Sequence, residues 1–522
     1  MAGWSDSFRA SLADTSRRPR FRLERRSLRD EPGTDWSVGT DPGAGASGAY
    51  LVLDRDSIRV AGQQLRPRGW STSIGAFSVE VVSAAPGSSG AMTEMLARWT
   101  RGTTVALMVG FDGTPSTQFE QVALGQITNL QRAGVNRWTL TCRDIYAAMT
   151  QRLTTTATQT ALFSDVTAAT TLSASYATGD TTLNVASSTG FQRETSGTGA
   201  LLVIPSSGDP FILRWTASTA TTFTVVATNV GGTTRVAAAS GDRVEELARL
   251  AGHPIDILRK VISSTGTGAA GGYDTYPAYW GLGIAESNFA DDDMYRWKND
   301  VVVVASGSYS WELLEQEEIP DAYAWMSALL STAGLFFAIY QGQLTIRAGQ
   351  ESTAVSGAQN YLSWIEITDA DIIEVESYEA WDAGHDVEYQ SITVYAYATA
   401  VSSGTSDVNT LPCENLMEYD VGDRVFENTT EIVTEMRNRL DESAQRIPER
   451  LVLRCASLRL AELCIGDVPI LNTTRCPSRA LGDVGFVRRR VVIDLVEASW
   501  TRGTVRVGML VYPTTDEEAD TP

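Results

Sequence analysis

Phe77-Ser78-Val79-Glu80-Val81-Val82 and Arg137-Trp138-Thr139-Leu140-Thr141-Cys142 alternate apolar with polar residues, the second after a turn at Ala133-Gly134. A period of two puts every other side chain on one face, so each predicts a strand with one face buried. Around them Ala49–Leu53, Thr104–Val109 and Val122–Ile127 carry similar short apolar runs. Ala147–Leu153 predicts a short helix. Residues 48–150 therefore predict an antiparallel barrel or sandwich. Near the other end, Thr504-Val505-Arg506-Val507-Gly508-Met509 comes after Thr501-Arg502-Gly503, as Arg137–Cys142 comes after Arg132-Ala133-Gly134. The shared phrase hints at two related barrels, although chance similarity between hairpins is the simpler account of that match alone.

Between these ends the patterning changes. Residues 160–245 are rich in Thr, Ser, Ala and Gly, with strands expected at Asp180–Val185, Ala200–Ile204, Phe211–Trp215 and Thr222–Val226. His253-Pro254 opens a helix whose Ile255, Leu258 and Ile262 share one face. Asp321–Thr332 predicts a second helix, with Trp325, Ala328 and Leu329 as its stripe and Gly334 at its end. A hairpin is expected across Gln341-Gly342 and a third helix over Thr430–Gln445. Residues 361–400 return to strand patterning, as do Val491–Leu495 and Thr504–Val507.

The chain has 522 residues, 43 % of them hydrophobic, enough for several cores. No run of 18 apolar residues occurs. Met1–Asp6 lacks the basic-then-apolar order of a secretory signal, so that route is not expected. The net charge of −21 argues against a nucleic-acid binder with a basic stripe. It fits either solubility or a wall that repels passing phosphates. A basic stretch from Arg17 to Arg29 is expected to be a solvated arm.

Catalytic chemistry is sparse. His253 and His385 are the only histidines. His253 is expected to cap or pack, and His385 lies in the turn-like Asp382–Asp386. No G-x-S-x-G elbow is present. Gly266–Gly271 matches G-x-G-x-x-G but comes after a helix rather than a strand. Cys455, Cys464 and Cys476 lack zinc spacing and are expected to pack as small hydrophobes. The remaining cysteines are Cys142 and Cys413, an odd set that makes no disulfide framework. Asp291-Asp292-Asp293 is expected to be a solvated acidic turn. With 63 acidic residues and 13 Trp, a glycosidase carboxylate pair stays open. No catalytic, cofactor-binding or metal-binding residue is assigned, and no cofactor is expected.

Residues 170–245 resemble a small β module of phage structural proteins. The carriers are Thr171-Leu172, Gly179-Asp180-Thr181-Thr182-Leu183-Asn184-Val185, Gly190-Phe191, Gly232-Thr233-Thr234 and Gly241-Asp242-Arg243-Val244. The module's usual late histidine is absent from Val236–Ser240. The chain beyond this module resembles phage tail hubs of siphophages and gene-transfer agents. Here the carriers are Gly252–Leu258, Tyr273-Asp274, Trp280-Gly281-Leu282-Gly283-Ile284, the helix and hairpin over 321–347, and Ile465-Gly466-Asp467-Val468.

That resemblance implies a mainly β fold with α+β parts: two tube-forming antiparallel β-barrel domains, a small inserted all-β module and intervening helical segments. The expected division is an arm (1–47), a first barrel (48–159), the inserted module (160–245), an α+β middle domain (246–360), a second barrel with a helical insertion (361–513) and an acidic tail (514–522). It further implies a non-enzymatic homotrimer at the distal end of a virion tail, assembled in the host cytoplasm. Its implied partners are the distal tail protein, the tape-measure protein and a tip fibre or other tip proteins, with genomic DNA passing unbound. A tail-associated glycan hydrolase and a receptor-binding adhesin remain the alternatives.

Overall fold

The structure is a computed structural model. It describes residues 4–14, 17–26, 37–40, 51–66, 71–72, 75–83, 89–150, 168–191, 199–226, 233–263, 282–300, 311–315, 321–332, 335–348, 362–379, 391–396, 399–402, 416–420, 448–477 and 484–512. The fold is mainly β, built from several largely antiparallel sheets.

The chain opens with α1 (Asp6–Ala13), β1 (Pro19–Arg26), β2 (Ser37–Gly39), β3 (Leu51–Val60), β4 (Gln63–Arg66), β5 (Ser71–Thr72), β6 (Ala76–Ser83), α2 (Ser89–Arg98), β7 (Thr104–Phe111), β8 (Glu120–Gly134), β9 (Arg137–Asp144) and α3 (Tyr146–Met149). Seven strands form the first sheet in the order β2-β1-β7-β8-β9-β6-β3. The expected alternation holds: Phe77, Val79, Val81, Leu140 and Cys142 are buried, while Ser78, Glu80 and Thr141 face outward. The basic stretch is not a solvated arm. Phe21 and Leu23 alternate with its arginines, so the segment pairs with β7 from Pro19↔Phe111 to Arg26↔Thr104. The charge is absorbed locally, because the buried Glu24 takes both Arg22 and Arg26.

The Thr/Ser-rich stretch forms β10 (Ala169–Thr171), β11 (Thr182–Asn184), β12 (Gly199–Ile204), β13 (Phe211–Thr219), β14 (Thr222–Val225) and β15 (Arg243–Gly252). Their order is β10-β15-β12-β13-β14-β11, and a bridge between Leu172 and Val185 joins the two outer strands. The sheet thus closes on its own core of Leu183, Leu201, Phe211, Trp215 and Phe223.

Next come α4 (Pro254–Ser263), α5 (Asp291–Asp300), β16 (Trp311–Glu315), α6 (Ala322–Thr332), β17 (Leu335–Tyr340) and β18 (Gln343–Ala348). Ile255, Leu258 and Ile262 are buried on α4 as their spacing predicts. On α6 the buried face is Ala322, Met326, Leu329 and Leu330, while Ala328 is exposed. The stripe is therefore rotated toward Met326, because α6 packs on β17 by that side. The hairpin turns at Gln341 and Gly342, both at positive φ (51° and 77°). Gly334 and the expected helix over Thr430–Gln445 lie outside the described residues.

The last region holds β19 (Leu362–Thr368), β20 (Ile372–Glu379), β21 (Ser391–Ala396), β22 (Thr399–Ser402), β23 (Leu416–Asp420), β24 (Glu449–Cys455), β25 (Val468–Pro477), β26 (Val484–Arg490), β27 (Val492–Ser499) and β28 (Thr504–Val511). Its main sheet runs β20-β24-β28-β27-β4-β5, with two strands taken from early in the chain.

The backbone repeats itself. The orders β3-β6-β9-β8 and β20-β24-β28-β27 match, antiparallel throughout. A helical turn, α2 or Leu458–Glu462, comes after the second-placed strand in each. Ile127 donates its N–H to the Thr103 carbonyl and accepts from Gly102 N–H; Ile493 does the same with Asp467 and Gly466. Gly102 and Gly466 have φ of 87° and 88°, left-handed backbone that favours glycine. A register shift sits just past each isoleucine, at Ile127/Asn129 and Ile493/Leu495. Ile127 pairs with Cys142 and Ile493 with Met509, so Arg137–Cys142 and Thr504–Met509 occupy matching places.

Candidate functional site: the seam between the repeats

One continuous core runs through both repeats, and the N-terminal helix is set into it. Ser5 caps α1, its Oγ accepting from Phe8 N–H at 3.4 Å. Trp4, Phe8 and Leu12, at i, i+4 and i+8, are buried on one face. The Trp4 ring meets Trp500 edge-on at 6.1 Å, and Phe8 meets Phe111 of the first sheet at 5.5 Å. Trp4 also donates N–H to Gln341 Oε1 at 2.7 Å and its indole N–H to the Gln121 carbonyl at 2.9 Å. Arg9 pairs with Glu462 at 2.7 Å. Both repeats and the middle hairpin therefore meet on this helix.

The second fastening is β4. Leaving β3, the chain turns at Ala61-Gly62 and lays Gln63 and Gln64 against Val496 and Leu495 of β27. A Cβ on Gly62 would stand 2.7 Å from Glu497 Cβ and from the Val496 carbonyl oxygen, so only glycine permits the crossing. Gln63 brackets Ile339, its Oε1 accepting from Ile339 N–H at 2.9 Å. Leu65 is buried with Phe336, Ala338, Cys464 and Ile465. Beside the crossing lies a cleft of about 340 Å³, lined by Arg59, Phe77, Ser78 and Thr141 from one repeat and Glu497 and Trp500 from the other.

The third is an ion triad. Fully buried Arg347 on β18 donates to Asp293 Oδ2 through Nε at 2.9 Å and to Oδ1 through Nη2 at 2.8 Å. Its Nη1 donates to Asp467 Oδ1 at 2.8 Å and to the Ile465 carbonyl at 3.2 Å. Thr345 and the Cys464 N–H complete the carboxylates' partners. Burial opposes the charge on Arg347, but Asp293 and Asp467 outweigh it and hold the guanidinium protonated. Asp291–Asp293 is thus no solvated turn. It is the first turn of α5, where the helix N-terminus favours acidic side chains, and Asp293 points inward to Arg347.

A fourth contact joins the first sheet to α6. Asp144 Oδ1 accepts from Tyr146 N–H at 3.0 Å, and the carboxyl is buried. Burial pushes this carboxyl up to about 8. Tyr146 stacks on Tyr323 at 5.2 Å and lies 5.9 Å from Phe337.

The residues weighed for chemistry are dispersed. His253 Nδ1 accepts from Ile255 N–H at 3.2 Å and caps α4. Cys455, Cys464 and Cys476 are buried and unpaired by disulfide. His385, Cys413 and Gly266–Gly271 lie outside the described residues. Among the described residues no group of three or more His, Cys, Asp or Glu gathers as a metal site. Sequence reasoning missed Trp4, Asp144 and Arg347. The Trp4-Phe8-Leu12 spacing is a readable signal for the first; the other two depend on contacts remote in sequence.

No protein-family model and no curated protein matches the chain. Solved structures it resembles include phage tail proteins and a virion particle. Prophage tail protein gp18 from Listeria monocytogenes is 9 % identical over 95 % of each chain, at a TM-score of 0.37. The 43 kDa tail protein of prophage MuSo2 from Shewanella oneidensis is 9 % identical over 95 % of this chain and 98 % of that one, also at 0.37. A chain of the native gene transfer agent virion is 16 % identical over 46 % of this chain and 84 % of its own, at 0.18.

Proposed function

We propose that this chain is a structural hub of a phage tail tip. Three copies form a ring that closes the tail tube, joins the distal tail ring and tape measure to the tip fibre, and opens for DNA ejection. In this reading residues 48–159 and 361–513 are the two tube-type barrel domains. Residues 160–245 are an outward module, 246–360 a middle domain and 514–522 an acidic tail; the first strands of the N-terminal segment join the first barrel. The observation that carries the reading is the internal repeat. Two similar domains per chain turn three copies into six similar units, matching a sixfold tube without a new kind of contact. The net charge of −21 suits a conduit that DNA slides through rather than one that grips it. The work is mechanical and assigns no residue to covalent chemistry.

Mass photometry of the purified chain and cryo-electron microscopy of intact tails test it. The expected result is a trimer with six similar domains around the lumen. A monomer in assembled tails, or a lumen densely lined with arginine, overturns the proposal.

A further inference from the structure

Within one chain, the repeats already display a head-to-tail contact. β27 of the second repeat has one edge on β28 and offers the other, at Leu495 and Val496, to β4 coming off β3 of the first. Next to that pairing, Arg59, Val60, Ala61 and Ala76 of the first repeat line the cleft that faces Glu497 and Ala498.

The repeat supplies the matching half of a second contact. Because the register shift falls after Ile127 as it does after Ile493, Asn129 and Leu130 hold the places of Leu495 and Val496. Gln131 and Arg132 hold those of Glu497 and Ala498. β7 covers the outer edge of β8 only as far as Ile127, and past it no described strand pairs there. Asn129 and the run Gln131–Arg137 are exposed, with Val135 at the hairpin tip 81 % exposed. An open strand edge invites another strand unless it is covered. In the same way Ser377, Tyr378 and Glu379 on β20 and Arg450 on β24 hold the places of Arg59, Val60, Ala61 and Ala76.

We propose that the outer edge of β8 at Asn129–Arg132, with its hairpin tip, seats on a second copy of this chain, against the face formed by Ser377, Tyr378, Glu379 and Arg450. The contact repeats between copies what the β27 edge makes within one. By these equivalences Glu379 stands where Ala61 does and Arg132 where Ala498 does; inside the chain those two alanines line one cleft, and between copies a pair of opposite charges takes their place. Arg450 is held closely by Asp494 at 2.7 Å and only distantly by Glu379 at 3.9 Å, so the 41 % exposed Glu379 side chain can turn from it to Arg132. Each copy thus presents two different surfaces, the arrangement that closes into a ring rather than a twofold pair. This deepens the hub reading, which supplies the ring; the contact itself needs only two copies.

The test uses the full chain with Arg132→Glu, Glu379→Arg and the double swap, each taken through analytical ultracentrifugation over a concentration series. Each single swap is expected to weaken self-association on the order of tenfold, and the double swap to restore it. In parallel, Arg132→Cys combined with Glu379→Cys is expected to give interchain products with a short bismaleimide, beyond those of the parent chain. A wild-type oligomer that ignores the swaps and forms no such product overturns this contact while leaving the hub reading intact. A wild type that stays monomeric both in solution and in assembled tails removes both.

Discussion

The indole rings of Trp4 and Trp500 meet at 6.1 Å with an interplanar angle of 74°, so the first helix of the chain is fastened to its last hairpin. Trp4 is also the residue from which backbone and indole donors reach Gln341 and Gln121. Removing its side chain empties a core position and takes the indole donor from the Gln121 carbonyl, while the backbone N–H to Gln341 stays. Trp4→Ala is expected to destabilise the fold by about 3–5 kcal/mol, read from urea unfolding. A change under about 1 kcal/mol would mean that α1 does not bind the repeats together.

Arg347 answers two buried carboxylates at once. Arg347→Met leaves Asp293 and Asp467 facing each other without a counter-charge, and a loss of about 3–5 kcal/mol in thermal unfolding is expected. Arg347→Lys is expected to rescue only part of it, because an ammonium lacks the planar fork that spans both acids.

Asp144 gives stability a pH dependence of defined sign. Its folded pKa of about 8 lies above the ordinary value of 3.8, so the folded state keeps a proton that the unfolded state has lost. The contribution is complete below the ordinary carboxylate range and declines as pH rises toward 8. Asp144→Asn keeps an acceptor for Tyr146 N–H and removes the titration. Its melting temperature is expected to exceed wild type by several degrees near pH 8, and by less near pH 5, in differential scanning fluorimetry. An equal effect at both pH values would show that the carboxyl does not hold its proton.

Gly102 and Gly466 should respond alike if the repeats share one backbone. Alanine at either place must adopt positive φ, at a cost of about 1–2 kcal/mol. The two single variants are expected to lose similar stability in chemical denaturation, and the double variant roughly their sum.

Much of this fold is legible in the residues because strands with one buried face write their period into the sequence. Phe77–Val82 and Arg137–Cys142 are examples. The basic stretch reads wrongly as an arm because charge density at Arg17–Arg29 masks the alternation of Phe21 and Leu23, and its neutraliser, Glu24, lies inside the run. The α6 stripe is misplaced when Trp325 is weighted over Met326. The repeat is faintly visible in the Arg137 and Thr504 hairpins, but its strongest marks are a hydrogen-bond pattern and a register shift, which residue identities do not encode. The seam is not legible: Arg347, Asp293 and Asp467 meet only after three elements have packed, and no local spacing announces it.

One strand serves two sheets in β15. Leu247 is laddered to Ala200 within the closed module, and the very next residue, Ala248, to Glu315 of β16. No hinge residue separates them, so the module is cantilevered from the body rather than tethered to it. A lateral load on the module would pass along that strand as shear across its hydrogen bonds, straight to the start of α4. A bulky object gripped there would tug on the interior as a lever does, not swing freely as on a rope.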